Sequence, residues 1–598
     1  MATKKLKQDT LTPSQKDDAG APVSLTADQE LAMGIVERWN RLDEVARYYL
    51  SQWEAIGAYV MPRKSYILTT LIVPDMDREA NLFTSIGVQS NMTLASGCMS
   101  YITPSDSRWF ALEPTEPMED DDDAREWFAH GTEIVQQYLA NSNFYTTMHE
   151  FYLDRGCFGT AVLHVEPGDT DDTPLIFRTF DVGKFRLSEN HERLVDTLFY
   201  RDKFTVRQLV LQFGAENVSE FTRKKYEQAD GRGYDFEVEV IHAIYPRPDS
   251  QRDKTKKDGR NKQFASVYVE VETKHTLRNG GYDEKPFFGS RYLSWQKSAY
   301  GYSPSWVVMP TLKQLNLLEK NLDALSELSA FPRVLVPDGM ANQVDLRAGG
   351  VTYYNSTDPN AKPVEWATAG RYDIGIQRVE HKEAQVKDAF SVPLFQQFTQ
   401  DDEKAGSPIT ATQVRAMQAE QLSMFSPTFS RLTTEVLTPL IKRVTGILIR
   451  QGKFPPPPAS LIKQNAKGEQ ELAEPKITFT SKMALAVKGM EVQATDRSLQ
   501  RALQVIQITR DPSVLDNFDM DKILKGGAIN DGVDPDYIRP DHEVQTIRQQ
   551  RQKAAAQQAQ MQQQQHMADV AAKAGSIKSD SMLGQQIQKN APQVGSAY

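Results

Sequence analysis

Residues 300–331 read YGYSPSWVVMPTLKQLNLLEKNLDALSELSAF, and the architecture turns on this stretch. The Gly301-Tyr302 break leads to Ser303, whose hydroxyl suits a helix N-cap, and to Pro304, whose missing N–H is no loss at the first helical position. Leu312, Leu315, Leu318, Leu322, Leu325 and Leu328 then recur at threes and fours until Pro332, and residues 311–331 alone span ~31 Å as a helix. Pro310 must kink this helix or start it afresh.

Downstream, residues 332–370 are short β-type pieces among turn residues, a small excursion between helices. A second helix is predicted from Asp373 to Val392, with Ile376, Val379, Val386 and Phe390 on one stripe and Glu383 interrupting it. Residues 393–408 read as an unpatterned loop. A very long helix follows from Ile409 to Gln451, opened by a Thr410/Gln413 capping box and closed by Gly452 and Pro455–Pro458. Its stripe is Val414, Met417, Phe425, Phe429, Leu432, Val436, Leu440, Val444 and Ile447, with bends expected at Pro427 and Pro439. A polar linker leads into a strand and several helices over 477–550. From Arg548 to Gln565 ten of eighteen residues are glutamine, so the tail is expected to be a helix fraying into disorder.

Upstream, Leu31, Ile35, Trp39, Leu42, Val45 and Tyr49 mark an amphipathic helix over 26–59, capped by Thr26 or Asp28 and preceded by a floppy tail. Helices are also predicted at 83–101 and 124–139, the latter behind the acidic run Glu119–Asp123, which reads as a solvated first turn favoured by the helix dipole. From 144 to 300 the texture becomes α+β: TAVLHVE, PLIFRTF, FEVEVIHAIY and ASVYVEVE are strand-like runs punctuated by glycines. The basic stretch PRPDSQRDKTKKDGRNKQ between two of them reads as a solvated loop, with a phosphate or partner contact as the alternative.

The 598 residues carry 69 Lys and Arg against 79 Asp and Glu, a net charge of −10 that excludes a generally basic nucleic-acid coat. Cys98 and Cys157 are too few for a disulfide framework and point to a reduced compartment, with buried, inert thiols expected. The first twenty residues lack the apolar core of a secretory signal, and no apolar run approaches the ~18 residues of a membrane span, so a cytoplasmic origin without membrane partners follows. No Gly-x-x-x-x-Gly-Lys-Ser/Thr phosphate cradle occurs, Gly231-Arg232-Gly233 lacks a third glycine, and the His-Glu pairs at His149, His191 and His542 lack a second histidine four residues on. Gly301-Tyr302-Ser303-Pro304-Ser305 is no nucleophile elbow, because proline after the serine removes the N–H an oxyanion hole needs. Catalytic, cofactor-binding and metal-ligating residues are therefore not assigned, and no cofactor is expected; a dispersed carboxylate pair, as in a nuclease or cell-wall hydrolase, is the alternative.

The order of elements resembles the bacteriophage portal protein family, the head-to-tail connector, and within it short-tailed, podovirus-type phages. Thr103-Pro104 with Arg108-Trp109-Phe110, Ser142-Asn143-Phe144-Tyr145, Tyr300 to Pro304, Thr410 to Arg415 and Glu435 to Arg443 carry the likeness, which spans about residues 28–550. The resemblance implies an α+β, mainly helical fold assembled as a ring. Its parts are a disordered tail (1–25), wing (26–300), first stem helix (304–331), clip (332–370), second stem helix (371–392), tunnel loop (393–408) and long wing helix (409–452). A linker (453–477), crown or barrel (478–550) and Gln/Ala-rich tail (551–598) complete it. Gln413 departs from the family pattern, where an acid is usual, and so does Pro310.

The resemblance further implies that Phe395, Gln396, Gln397, Phe398 and Lys404 form a DNA-facing tunnel loop. It makes Arg347, Tyr353, Tyr354 and Trp366 candidates for docking at the clip. Implied partners are further copies of the chain, double-stranded DNA held weakly, the terminase large subunit, the major capsid and scaffolding proteins, and tail adaptor proteins, in a virion whose parts are made in the host cytoplasm. Packing arithmetic suits such a ring: about twelve helices at ~9–10 Å spacing leave a bore of ~27 Å, against roughly 20 Å for duplex DNA. The acidic balance implies a mostly acidic or neutral bore that lets DNA slide.

Overall fold

A computed structural model of the chain describes residues 26–65, 67, 81–115, 121–168, 170, 173–228, 231–253, 255–256, 258–295, 298–330, 333–336, 345, 353, 364–365, 372–396, 425–464, 470–484, 498–502, 504–505, 518–530, 539 and 541–575. The chain divides into two compact units, Met1–Glu491 and Val492–Tyr598.

Helix α1 (Ala27–Val60) opens on a capping box, Thr26 Oγ1 accepting from the Gln29 N–H while the Gln29 side chain accepts from the Thr26 N–H, so Thr26 and not Asp28 is the cap. Its buried line runs Ala32, Ile35, Trp39, Ala46, Leu50, Trp53, Ile56 and Val60, whereas Val45, expected in the stripe, is 66% exposed. The cause is drift: a straight helix turns 3.6 residues per cycle, so the core-facing line moves on to Ala46. Helices α2 (Ile86–Ile102) and α3 (Asp122–Asn141) follow, with β1 (Phe110–Glu113) between them. The acidic run caps α3, Asp121 accepting from the Asp123 N–H.

Helix α4 (Phe144–Phe158) has no counterpart in the sequence reading, because its buried residues include polar Thr147, Asp154 and Arg155 beside Phe144, Met148, Phe151, Tyr152, Cys157 and Phe158, so no clean apolar stripe marks it. It leads into β2 (Thr160–Pro167), the centre of a three-stranded antiparallel sheet with β3 (Leu175–Thr179) and β9 (Phe287–Arg291). A second sheet is an antiparallel meander of β4 (Phe185–Glu189), β5 (Val195–Thr205), β6 (Glu237–Pro246), β7 (Phe264–Glu270) and β8 (His275–Tyr282). Strand alternation sends Ile241, Ala243, Ala265, Val267 and Val269 to one face, under Ala32, Ile35 and Trp39 of α1. Val238, Val240 and Tyr268 go to the other, under the short helices α5 (Val206–Phe213) and α6 (Glu220–Tyr226). The basic stretch is the connection between β6 and β7, as expected.

The short strands β10 (Leu293–Ser294) and β11 (Gly301–Tyr302) pair just before α7 (Pro304–Ala330). Pro310 sits inside α7 without ending it. Of the excursion, β12 (Val334–Leu335) and β13 (Val364–Glu365) form one antiparallel pair. Helix α8 (Tyr372–Ala389) is followed by Ser391 at φ 55 and by α9 (Val392–Gln396), so the segment read as loop from 393 begins as helix. Val386 and Phe390 are buried, but Ile376, placed in the α8 stripe, is 40% exposed.

The long helix is described from Phe425: residues 425–432 pass through a π turn, Thr433–Leu437, into α10 (Thr438–Arg450), and Gly452 at φ +71 ends it. Every stripe residue from Phe425 to Ile447 is buried, while Val414, Met417 and the 410/413 capping box lie outside the described residues. Within the stretch read as a polar linker, β14 (Ile462–Gln464) pairs with β15 (Gln470–Leu472). The boundary expected at 478 falls inside β16 (Lys476–Phe479), which pairs with β1, Phe110 opposite Phe479. The second unit contains helices Met520–Asn530 and Asp541–Gly575, joined by an ion pair of Arg548 with Asp521.

Candidate functional site

The base of α7 is set by backbone geometry in α4. Gly159 ends α4 at φ +78, and a Cβ there would come within 2.5 Å of the Tyr302 carbonyl carbon and 2.6 Å of the Ser303 nitrogen, so only glycine lets the two segments touch. Ser303 is the cap expected: its Oγ accepts from the Trp306 N–H at 3.1 Å and donates to the Cys157 carbonyl at 2.6 Å. Ser305 Oγ donates to the Gly156 carbonyl at 3.0 Å, and the Gly301 N–H donates to Thr160 Oγ1 at 2.8 Å. Tyr300 packs on Tyr49 and Trp53 of α1, with ring centroids 4.8 and 5.4 Å away. The start of α7 is therefore fixed to three elements at once.

Above this base the helix leaves the core. The buried residues of α7 stop at Leu315, and Val386 is the one buried residue of α8. The two helices pack on each other, Leu322 lying so near Gly375 that a Cβ there would meet its Cδ2 at 2.5 Å. Leu318, Leu322, Leu325 and Leu328 are half-buried, as are Gly375, Val379 and Glu383 of α8. Burial raises the carboxyl pKa of Glu319, with Asp323 and Glu383 adding repulsion. Counting α7 and α8 together gives five basic side chains, Lys313, Lys320, Arg378, Lys382 and Lys387, against seven acidic ones, so the pair is close to neutral.

A buried ion pair ties the long helix to this base. Glu435 lies in the π turn and accepts from Arg291 of β9. The Arg291 guanidinium also donates to Glu189 at 3.2 Å, to the Ser298 carbonyl at 3.1 Å and to the Arg193 carbonyl at 2.8 Å, so one side chain spans β9, the β4–β5 turn, the segment before α7 and the long helix. The wider turn lies immediately before Pro439, which has no N–H for the Glu435 carbonyl four residues back. The stretch Glu435–Arg443 was singled out in the sequence, but nothing local pointed to Arg291 as its partner.

Of the expected tunnel and clip residues, the structure describes Phe395, Gln396 and Tyr353. Phe395 is half-buried, 5.7 Å from the Tyr101 ring and 6.0 Å from that of Phe425, and it lies directly on Gly97 of α2. It thus holds α9 to the body. Gln396 ends α9, while Gln397, Phe398 and Lys404 lie outside the described residues. Of the clip candidates Tyr353 is 84% exposed, and Arg347, Tyr354 and Trp366 lie outside the described residues.

Cys98 and Cys157 are buried and unpaired; burial pushes the Cys98 thiol up to about 12 and the Cys157 thiol well above its ordinary value, so neither is poised as a nucleophile. Among the described residues no group of three or more His, Cys, Asp or Glu side chains is placed to hold a metal ion. No described helix is long and apolar enough to cross a membrane.

Comparison with known proteins bears on the whole chain. The family described as bacteriophage head to tail connecting protein matches residues 32–538. A probable portal protein of Bordetella phage BPP-1 is 28% identical over 551 residues, 91% of this chain and 95% of that protein. The portal protein of Salmonella phage epsilon15 is 30% identical over 514 residues, 84% of this chain and 88% of the relative. A chain in the virion of a native gene transfer agent particle overlaps 70% of this chain and 88% of its own length, at 12% identity and a TM-score of 0.30, too low to bear on the fold.

Proposed function

The chain belongs to the bacteriophage head to tail connecting protein family, and from that premise we propose that its copies form a ring, about twelve in number, through which double-stranded DNA enters and leaves the capsid. The family is structural rather than catalytic, and the enzyme reading finds no support in it. The match to this family along residues 32–538 carries the reading. The α7–α8 pair supports it: two helices fastened firmly at one end and left bare of core along the rest suit the stem of a ring. The five-to-seven balance of basic to acidic side chains on that pair supports the expectation of an acidic or neutral bore, which offers phosphates no net grip.

In this reading residues 26–300 are the wing, α7 and α8 the stem, and 332–370 the clip, where the terminase docks during packaging and the tail adaptor afterwards, with the exposed Tyr353 a candidate contact. The major capsid and scaffolding proteins meet the wing as the head is nucleated. Residues 397–408 carry the tunnel contacts, Lys404 foremost, with Phe395 as their anchor. The protein resides at the head-tail junction of the virion and is made in the host cytoplasm.

Native mass spectrometry of the purified chain, with negative-stain images, tests this. A closed ring of about twelve copies with a hole wider than the roughly 20 Å of duplex DNA is expected. A stable monomer or dimer at assembly-favouring concentration overturns it.

A further inference from the structure

The connection between β6 and β7 runs against the charge of the chain that carries it. Residues 247–262 hold seven basic side chains against three acidic, within a protein of net charge −10. The connection is fixed at its base: the Arg247 guanidinium donates to the carbonyls of Gly259 at 2.8 Å and Gly280 at 2.7 Å and to Asn279 Oδ1 at 2.8 Å, and the Asp253 N–H donates to Asn261 Oδ1 at 2.8 Å. Its last cation, Lys262, lines a cavity of about 240 Å³ between the ends of β2 and β8 and the last turns of α10.

Tyr282, Asp283, Arg443, Arg450 and Gln451 line the same cavity. Arg443 is 3% exposed, with its guanidinium carbon 5.2 Å from the centre of the Tyr282 ring. Its Nε donates to the Val165 carbonyl at 3.2 Å and its Nη1 to Glu284 at 3.1 Å, but Nη2 has no partner among the described residues. Glu284 is also shared, because Arg450 donates to both of its oxygens, and the next carboxylate, Glu166, accepts from the Tyr282 hydroxyl at 2.9 Å. Lys262 is paired with Asp283 at 3.1 Å. Three cations therefore meet two carboxylates around the cavity, and one of the cations is a guanidinium shielded from water, which costs free energy until an anion answers it.

A guanidinium edge matches the oxygens of phosphate. The walls also carry acceptors: the Asp283 carboxylate, and Gln451, whose Nε2 donates to the Pro174 carbonyl at 3.2 Å and whose Oε1 is buried without a donor. An anion seated beside them has to bring a proton of its own. Hydrogen phosphate keeps one at neutral pH, whereas sulfate, an ionised carboxylate and a phosphodiester have none. We propose that this cavity binds inorganic phosphate: Arg443 Nη2, Lys262 and Arg450 hold its oxygens, its proton is donated to Asp283, and the cations of the 247–262 connection draw it to the mouth.

Calorimetric titration and thermal melts of the full-length chain with potassium phosphate at neutral pH test this, with potassium chloride at equal ionic strength as the control and circular dichroism as the check on folding. Saturable binding and a raised Tm are expected. Arg443 is left in place because it also holds Val165 and Glu284; Lys262→Gln and Arg450→Gln, whose side chains are 31% and 44% exposed, are each expected to weaken binding about tenfold. The wild type is expected to prefer phosphate over sulfate by about tenfold, and Asp283→Asn to abolish that preference. No effect beyond that of chloride, or unchanged binding in Lys262→Gln and Arg450→Gln, overturns the site. Sulfate bound as tightly as phosphate by the wild type, or a phosphoserine peptide or duplex DNA bound more tightly than phosphate, overturns its assignment to the free ion.

Discussion

Arg291 donates three hydrogen bonds to Glu435: its backbone N–H to Oε2 at 2.8 Å, Nε to Oε1 at 2.9 Å and Nη2 to Oε1 at 2.7 Å. Their side chains are 6% and 9% exposed, so removing one partner leaves a charge stranded in the interior. Arg291→Ala is expected to lower stability by ~3–5 kcal/mol, and Arg291→Lys by less, since an ammonium keeps the charge but not the planar fork. Guanidinium denaturation measures both; equal losses for Ala and Lys would show that the fork geometry alone matters.

Acid should weaken the body through two histidines. His242 lies flat on Tyr268, ring centroids 3.8 Å apart, with Nε2 2.9 Å from Ser266 Oγ, and His164 stands 6.2 Å away with its Nε2 lacking a hydrogen-bond partner. Burial lowers both from 6.5 to about 3, helped at His164 by Arg443 and Arg178 and at His242 by His164 and Arg278, with Glu166 opposing at His242. Between those values the unfolded chain binds protons that the folded one refuses, so stability is complete above pH 6.5 and lost as pH falls toward 3. The loss is about 1.4 kcal/mol per pH unit for each histidine, ~4 kcal/mol for the pair at pH 5. His164→Phe should roughly halve the slope of denaturation midpoint against pH; an unchanged slope places the acid sensitivity elsewhere.

Both thiols should be silent in the native protein. Thiolate is the reactive form, and burial holds Cys98 and Cys157 protonated as well as covered. A thiol reagent at pH 8 is expected to label neither until denaturant is added, and then both; labelling of the folded chain would show that α2 or α4 opens locally.

The contact of Phe395 with Gly97 should govern the segment that follows α9. Gly97→Val drives a side chain into the Phe395 ring and is expected to speed hydrogen exchange over α9 without unfolding the body. Phe395→Ala should reduce packaging or DNA retention while leaving the ring intact; wild-type retention would dissociate α9 from any role in the channel.

Much of the fold was legible because it is written locally. The Ser303-Pro304 cap, the Thr26 cap, the acidic start of α3 and the buried stripe from Phe425 to Ile447 each depend on neighbours a few residues away. What escaped is what depends on distance in the chain. Helix α4 lost its period because Thr147, Asp154 and Arg155 are buried with its apolar residues, Asp154 and Arg155 held by partners elsewhere in the chain. Val45 and Ile376 obeyed the spacing but face outward, since periodicity identifies a stripe and tertiary packing decides where it points. The Arg291–Glu435 pair joins residues from different regions, and no local pattern in one sequence announces that. Phe395 was placed in a loop because Ser391, at positive φ, interrupts the helical pattern just before α9 resumes it.

The pairing of β1 with β16 also sets a schedule for synthesis. A ribosome releases Phe110 to Glu113 early, yet the strand that satisfies their backbone comes only at Lys476 to Phe479, after both large sheets, α7, α8 and α10 have all been made. Until then β1 is an open edge beside the fully buried Trp109, and open edges recruit other chains. A nascent chain at this stage is therefore exposed to pairing with its siblings for most of its translation.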